Sequence, residues 1–222
     1  MSAKKSPAVR IAPPVFPDGE ALRPYSGRFD EPEMLHGGLL MQGTDLAGVT
    51  ACGLILEQSK LEGVLAGKSV LSKLRVSDAE LTRCDLSNAK WTGARLNRVR
   101  IAGSRLTGCN LNDAVGQDLV FEDCKVDLAS FFRARFSACR FERCDLNSSD
   151  FEEADLRGVS FRDCRLRNTR FTSARLEGAD LRGSDLTGLT IAPQALRGLI
   201  ADPFQAVQLI GILGVVIKDR DE

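Results

Sequence analysis

The chain has 222 residues, 43% of them hydrophobic and 27% charged, a globular balance with enough apolar material for one sizeable core. Thirty basic and thirty acidic side chains cancel, so bulk charge draws the chain neither to nucleic acid nor to an anionic membrane. Seven cysteines, an odd number with no CxxC pair, point to free thiols in a reducing compartment rather than to a disulfide framework.

In chain order, the opening MSAKKSPAVRIAPPVF has lysines but no apolar stretch of signal-peptide length. No stretch elsewhere approaches the ~20 apolar residues of a membrane span, and a cytoplasmic address is expected. Residues 1–40 carry Pro13, Pro14, Pro17, Pro24 and Pro32 and no clean repeat. They predict an extended capping segment lying along or over the first repeats, where the nominally outward Ile55, Leu65 and Val70 would be what it covers. His36 is the only histidine and lacks a partner pattern, so it reads as structural or solvated. No GxSxG, HExxH, Walker or GxGxxG context is present. No catalytic, cofactor-binding or metal-ligating residue is therefore expected, and the chain is not expected to be an enzyme.

Residues 41–196 are governed by a period of five. Steps of five from Leu46 meet Leu56, Leu61, Leu71, Val76, Leu81, Leu86, Trp91, Leu96, Ile101 and so on to Ile191, with only Ala51, Ala66 and Gly116 lacking a large side chain. Two places before each central residue stands something small, as at Ala79, Cys84, Ala89, Ala94, Ser104 and Cys109. Five helical steps of ~100° would leave successive apolar residues ~140° apart, so the period is not a helix face. An odd period also puts successive apolar residues on opposite faces of a continuous strand. Both inward positions are satisfied if the chain turns once per unit, and four turns close a square coil of twenty residues. About thirty units then make roughly seven and a half coils, a rod about 35 Å long at the ~4.8 Å strand spacing.

Units such as Cys84-Asp85-Leu86-Ser87-Asn88 and Ala179-Asp180-Leu181-Arg182-Gly183 show an A(D/N)LXX pattern that resembles the pentapeptide-repeat proteins. The resemblance implies an all-β fold, a right-handed quadrilateral β-helix, here with an irregular N-terminal cap and a C-terminal helix. In that frame Phe131, Phe151 and Phe171 fall on one face and Phe121, Phe141 and Phe161 on the opposite one, which predicts stacked aromatic walls and a more stable C-terminal half. Cys84, Cys109, Cys124, Cys139, Cys144 and Cys164 occupy the small inward position and read as core filler; only Cys52 lies outside it. Asp45, Asp85, Asp145, Asp155, Asp180 and Asp185 precede central residues, where they serve turn hydrogen bonds rather than paired acid-base chemistry.

Residues 197–222 open on Asp202-Pro203, an N-cap followed by a first-turn proline, then FQAVQLIGIL as a short helix ended by Gly214. GVVIKD reads as a strand. This tail, Gln205-Ala206, Leu209, Leu213-Gly214 and Val216-Ile217, is similar to that of the quinolone-resistance members of the family, where it makes a homodimer. The resemblance implies dimerisation through Phe204, Gln205, Ala206, Leu209 and Leu213; a capping helix in a monomer is the other reading.

The best-known activity in the family is binding DNA gyrase or topoisomerase IV by imitating duplex DNA, which requires acidic faces. Asp45 to Ile191 hold 21 acidic and 22 basic side chains, balanced on every coil face, and arginine stands in place of Asp or Asn at Arg75, Arg95, Arg105, Arg135, Arg140, Arg165, Arg170 and Arg175. The favoured expectation is therefore a non-catalytic protein-interaction rod or scaffold whose partner is unidentified, with gyrase modulation and fluoroquinolone protection as the alternative. Leu128 and Phe132, outward on adjoining faces, are its candidate contact patch. Gly116 reads either as a tolerated void or as a bend beside that patch.

Overall fold

The computed structural model describes residues 10–16, 22–25, 35–216 and 218. Over nearly all of this length each residue lies beside the residue twenty places on, and every strand pair is parallel. The result is a right-handed square solenoid of about eight turns with one short C-terminal helix. Four coils carry eight-residue strands, Arg75–Thr82 (β1), Arg95–Ala102 (β2), Val115–Glu122 (β3) and Arg135–Glu142 (β4), paired in that order. These strands bend through a corner at a left-handed residue: Asp78, Arg98, Asp118 and Ala138 have φ of 52°, 51°, 55° and 46°. Pairing already begins with Leu35–Gly37 against Ile55–Glu57 and reaches Ile200, which bridges to Asp180. It thus extends a few residues beyond each end of the repeat region expected at 41–196.

The turns are built as the repeated aspartates suggest. Carboxylate or amide oxygens of Asp45, Asp85, Asn110, Asp150 and Asp180 accept the backbone N–H two residues on, at 2.9 to 3.1 Å. Thr187 and Arg167 donate to Asp185 and hold its carboxyl down to about 2. Such short loops close because the side chain replaces a missing backbone turn bond.

The interior is a single column. Phe121, Phe141 and Phe161 stack on one wall at centroid distances of 4.5 and 5.1 Å, and Phe131, Phe151 and Phe171 on the opposite wall at the same spacings. The walls meet edge to face at 5.7 to 6.1 Å. All six rings are buried. Parallel register forces like side chains onto successive rungs, and planar rings tolerate that with offset stacking. The leucine-lined coils nearer the N-terminus instead leave a void of about 40 Å³ among Met41, Leu54, Leu61, Val76 and Trp91.

Gly116 is neither a void nor a bend. A Cβ built there would lie 2.4 Å from Leu119 Cδ1 and 3.0 Å from Phe136. Leu119 occupies the nominally small inward position of the next unit, is buried, and fills the space that the absent central side chain leaves. Volume lost at one position is restored three residues later, as close packing demands.

A flanking segment meets the outermost coil at each end. At the start, Arg23–Pro24 pairs with Leu39–Leu40, with Arg23 N–H donating to Gly38 O and Tyr25 N–H to Leu40 O. Proline suits this outermost position because no further strand needs its N–H. Residues 10–16 run as an extended strap along the rod axis: Ala12 N–H donates to Asp118 and Val15 N–H to Asp78, both at 2.9 Å, while Lys60 sits 4.5 Å from the Phe16 ring. The strap therefore follows the corner between the two halves of β1–β3. It does not cover the coil wall that bears Leu65, which stays exposed, whereas Ile55 and Val70 are half-buried.

At the far end the helix Pro203–Ile212 (α1) starts on a capping box, Asp202 accepting from Gln205 N–H at 2.9 Å and Gln205 Oε1 accepting from Asp202 N–H at 3.0 Å. Gln205 Nε2 also donates to Leu181 O at 2.6 Å and Ser184 O at 2.7 Å, which ties the helix to the end of the rod; Leu181 O at the same time accepts the turn bond from Ser184 N–H. Gly214 ends the helix with φ of 77°. Val215, Val216 and Lys218 form no strand, and the remainder of the expected GVVIKD strand lies outside the described residues.

Two substitutions test this packing. Phe151→Ala should lower the unfolding free energy by ~3 to 5 kcal/mol in chemical denaturation, through the cavity it opens in the aromatic column. Gly116→Ala should destabilise by ~1 to 3 kcal/mol, and the added Leu119→Ala should then cost less than it does in the native background, since each change relieves the other; strict additivity would disprove the compensation.

Candidate interaction surfaces

Cys84, Cys124, Cys144 and Cys164 share one axial column, and their thiols lie 3.3 to 3.6 Å from backbone carbonyls two residues earlier. Burial pushes the Cys109 thiol up to about 12 and raises Cys139 well above the ordinary range, so both are protonated and unreactive at neutral pH. Cys52 alone is exposed. A column of parallel thiols cannot converge on one ion, and no group of three or more metal-ligating side chains exists among the described residues. Strand Leu35–Gly37 holds His36, whose side chain lies outside the described part. No helix among the described residues is long and apolar enough to cross a membrane.

The outer surface is ruled by axial charge pairs. Arg165 faces Asp145, Arg170 faces Asp150 and Glu152, Arg175 faces Asp155, and Arg133 faces Glu153, each pair about one coil apart. Arg143 gathers Glu122, Asp123 and Glu142, and Arg98 grips Asp78 through two hydrogen bonds of 2.6 and 2.7 Å. Arg100 together with Arg143 holds the Glu122 carboxyl below the usual carboxylate range, as Arg143 does Asp123 and Arg98 does Asp78. Arg165, Arg170 and Arg175, at the place of Asp or Asn, thus serve as counter-ions to the carboxylates one rung away, a relation that only the twenty-residue register reveals.

Leu128 and Phe132 do lie close to one corner of the rod. Leu128 is 62% exposed and holds φ of 59° at the corner itself. Phe132 is half-buried, with the Arg133 guanidinium 4.7 Å from its ring centroid and its backbone N–H bonded to Asn112. This corner is opposite the one followed by the strap, ten residues away around the coil, so the strap does not cover it. Gly116 belongs to the core and adds nothing to the patch.

Helix α1 separates the five residues singled out in the tail. Gln205 and Leu209 turn to the rod and are buried, and Ala206 is half-buried. Phe204 is 78% exposed, and Val207, Ile210, Leu213, Val215 and Val216 are exposed with it. The side of the helix away from the rod is apolar, which the spacing of hydrophobic residues in VQLIGIL could have indicated: they are too many for one face.

Comparison with known proteins agrees with this architecture. A model described as pentapeptide repeat region matches residues 114–191, and one described as pentapeptide repeats (8 copies) matches residues 77–115. No curated protein matches the chain. Among solved structures the chain is similar to QnrB1, a plasmid-mediated fluoroquinolone resistance protein, at 16% identity over 82% of this chain and 99% of that one, with a TM-score of 0.39. It is similar to HetL, a pentapeptide repeat protein involved in heterocyst differentiation regulation from the cyanobacterium Nostoc sp. strain PCC 7120, at 20% identity over 79% and 91% of the two chains, with a TM-score of 0.36. A pentapeptide repeat protein from the Arabidopsis thaliana thylakoid lumen is 17% identical over 77% and 74%, with a TM-score of 0.21.

Proposed function

Since the chain belongs to the pentapeptide-repeat family, we propose that it is a non-catalytic rod or scaffold that presents rigid surfaces to partner proteins and pairs with a second copy of itself through helix α1. The observation that carries this reading is the outer side of the helix. Capping a rod requires one apolar face, supplied by Leu209 with Gln205 at its edge. Phe204, Val207 and Ile210 form a second, which in a lone protomer would remain in water at ~25 cal/mol per Å² of apolar surface. A two-fold related copy offers the same surface in return. Leu128 and the edge of Phe132 provide a separate apolar contact for a protein partner on the side of the rod.

The alternative, a DNA-mimicking modulator of DNA gyrase or topoisomerase IV that gives fluoroquinolone protection, has less support. Mimicry depends on rows of uncompensated carboxylates that offer phosphate-like potential to a basic groove. Here carboxylates in the axial rows have arginine as a neighbour, as in Asp145, Arg165 and Asp185.

The mass in solution by light scattering tests the pairing. A value near 48.2 kDa, twice 24.1 kDa, is expected, and Phe204→Asp with Val207→Asp should return it to 24.1 kDa without unfolding the rod. A wild-type mass of 24.1 kDa would remove the dimer. In a gyrase supercoiling assay, stoichiometric protein should neither inhibit the enzyme nor protect it from a fluoroquinolone; protection would reinstate the mimic.

A further inference from the structure

Among the arginines of the coils, Arg75, Arg95, Arg105, Arg135 and Arg197 have no carboxylate of the described residues within 4.0 Å. Three of them line one groove of about 760 Å³ that runs along the rod axis across the first halves of β1–β4. Arg75, Arg95 and Arg135 form one wall, with Val115 as a gap in the row. Ser77, Asn97, Gln117 and Ser137 form the other, and the floor is strand backbone. Arg75 and Arg95 are register partners on adjacent rungs, ~4.8 Å apart at the backbone. Arg165, Arg170 and Arg175 are each paired with the carboxylate one rung away, whereas at Arg75 and Arg95 like charges stack.

The acids nearest the groove are already engaged. Asp78 is held by Arg98 and by Val15 N–H, and Asp118 by Ala12 N–H. The carboxylates that line the groove, Glu57 and Asp155, stand at its two ends, and Asp155 is taken by Arg157 and Arg175. The middle of the groove is left cationic with hydrogen-bonding side chains opposite.

The strap shows how a chain fits this surface. From Ala12 to Val15 it advances from Asp118 to Asp78, two coils. Three extended residues cover ~10 Å, which matches two rungs of ~4.8 Å, so an extended peptide laid along the axis keeps step with the coils. Arg75 to Arg135 is three rungs, ~14 Å, the reach of four to five extended residues.

We propose that this groove docks an extended acidic segment of a partner protein, its carboxylates on Arg75, Arg95 and Arg135 and its backbone beside the Ser/Asn/Gln row. Bidentate arginine–carboxylate bonds would relieve the stacked positive charge, while the zero net charge of the whole chain argues against a general affinity for nucleic acid. The proposal rests on the reading of the rod as a protein-interaction module, yet the two fail separately: the test below needs no cellular partner, and the mass and supercoiling measurements do not touch the groove.

The test is fluorescence anisotropy of a fluorescein-labelled octapeptide alternating Glu and Gly, at low salt. Saturable binding is expected, weakened at least about tenfold by Arg75→Glu/Arg95→Glu/Arg135→Glu and changed less than about twofold by Arg105→Glu/Arg197→Glu. Should the charge-reversed protein fail to fold, Arg75→Gln/Arg95→Gln/Arg135→Gln removes the like-charge stack and should melt no lower than wild type while losing the peptide. Absence of saturable binding, equal loss in the Arg105/Arg197 variant, or tighter binding of an eight-nucleotide oligothymidylate would each overturn the proposal.

Discussion

Backbone hydrogen bonds between coils impose the constraint from which the other features follow. Asp85 N–H reaches back to Val64 O and Leu86 N–H forward to Arg105 O, so beside the local bonds that close each turn the backbone is tied to neighbours about one coil away. With the register held at twenty, no residue can choose its axial neighbour independently. Whatever stands at one position must accept, above and below, the residues twenty before and twenty after it.

Three kinds of column satisfy that rule differently. Rings stack, because two planar faces at 4.5 to 5.1 Å are attractive and the opposite wall fills the remaining space edge to face. Small side chains and thiols stack because they take up little room and their polar atoms find backbone carbonyls within reach. Charged columns must alternate, and arginine succeeds at the Asp/Asn position because its length lets it lean onto the carboxylate one rung away. The Arg75–Arg95 stack departs from that alternation, which is why it stands out as a place to receive charge from another molecule.

A solenoid has ends, and its ends are unlike its middle. At the end of the rod Gln205 reaches back to the carbonyls of Leu181 and Ser184 while its own helix is capped by Asp202. This divides α1 into a face committed to the rod and a face with nothing against it. The repetition is interrupted at the helix, at the corner with Leu128 and in the arginine groove, and the functional proposals rest on these places because the repeating parts satisfy one another.

The period of five, the inward pairs and the aromatic walls were legible in the sequence because each is a statement about residues at fixed spacing, and fixed spacing is what the coil turns into neighbourhood. The turn role of the aspartates was legible for the same reason, being a bond between residues two apart. Gly116 was misread as a void or bend because the side chain that fills its place, Leu119, belongs to the next unit and looks there like an oversized filler. Gln205 and Leu209 looked equivalent to Phe204 in a tail motif, and only the docking angle of the helix turned them inward. Counting charge face by face found balance, yet it could not separate the paired arginines from Arg75, Arg95 and Arg135. The period alone therefore determined the inward core positions and a turn in every unit, through local geometry repeated coil after coil, while the square section and its right hand came from the resemblance to the pentapeptide-repeat proteins. Tertiary structure alone decided which polar and apolar groups remain unpaired, since that depends on contacts across coils and between the rod and its two caps, which no repeat encodes.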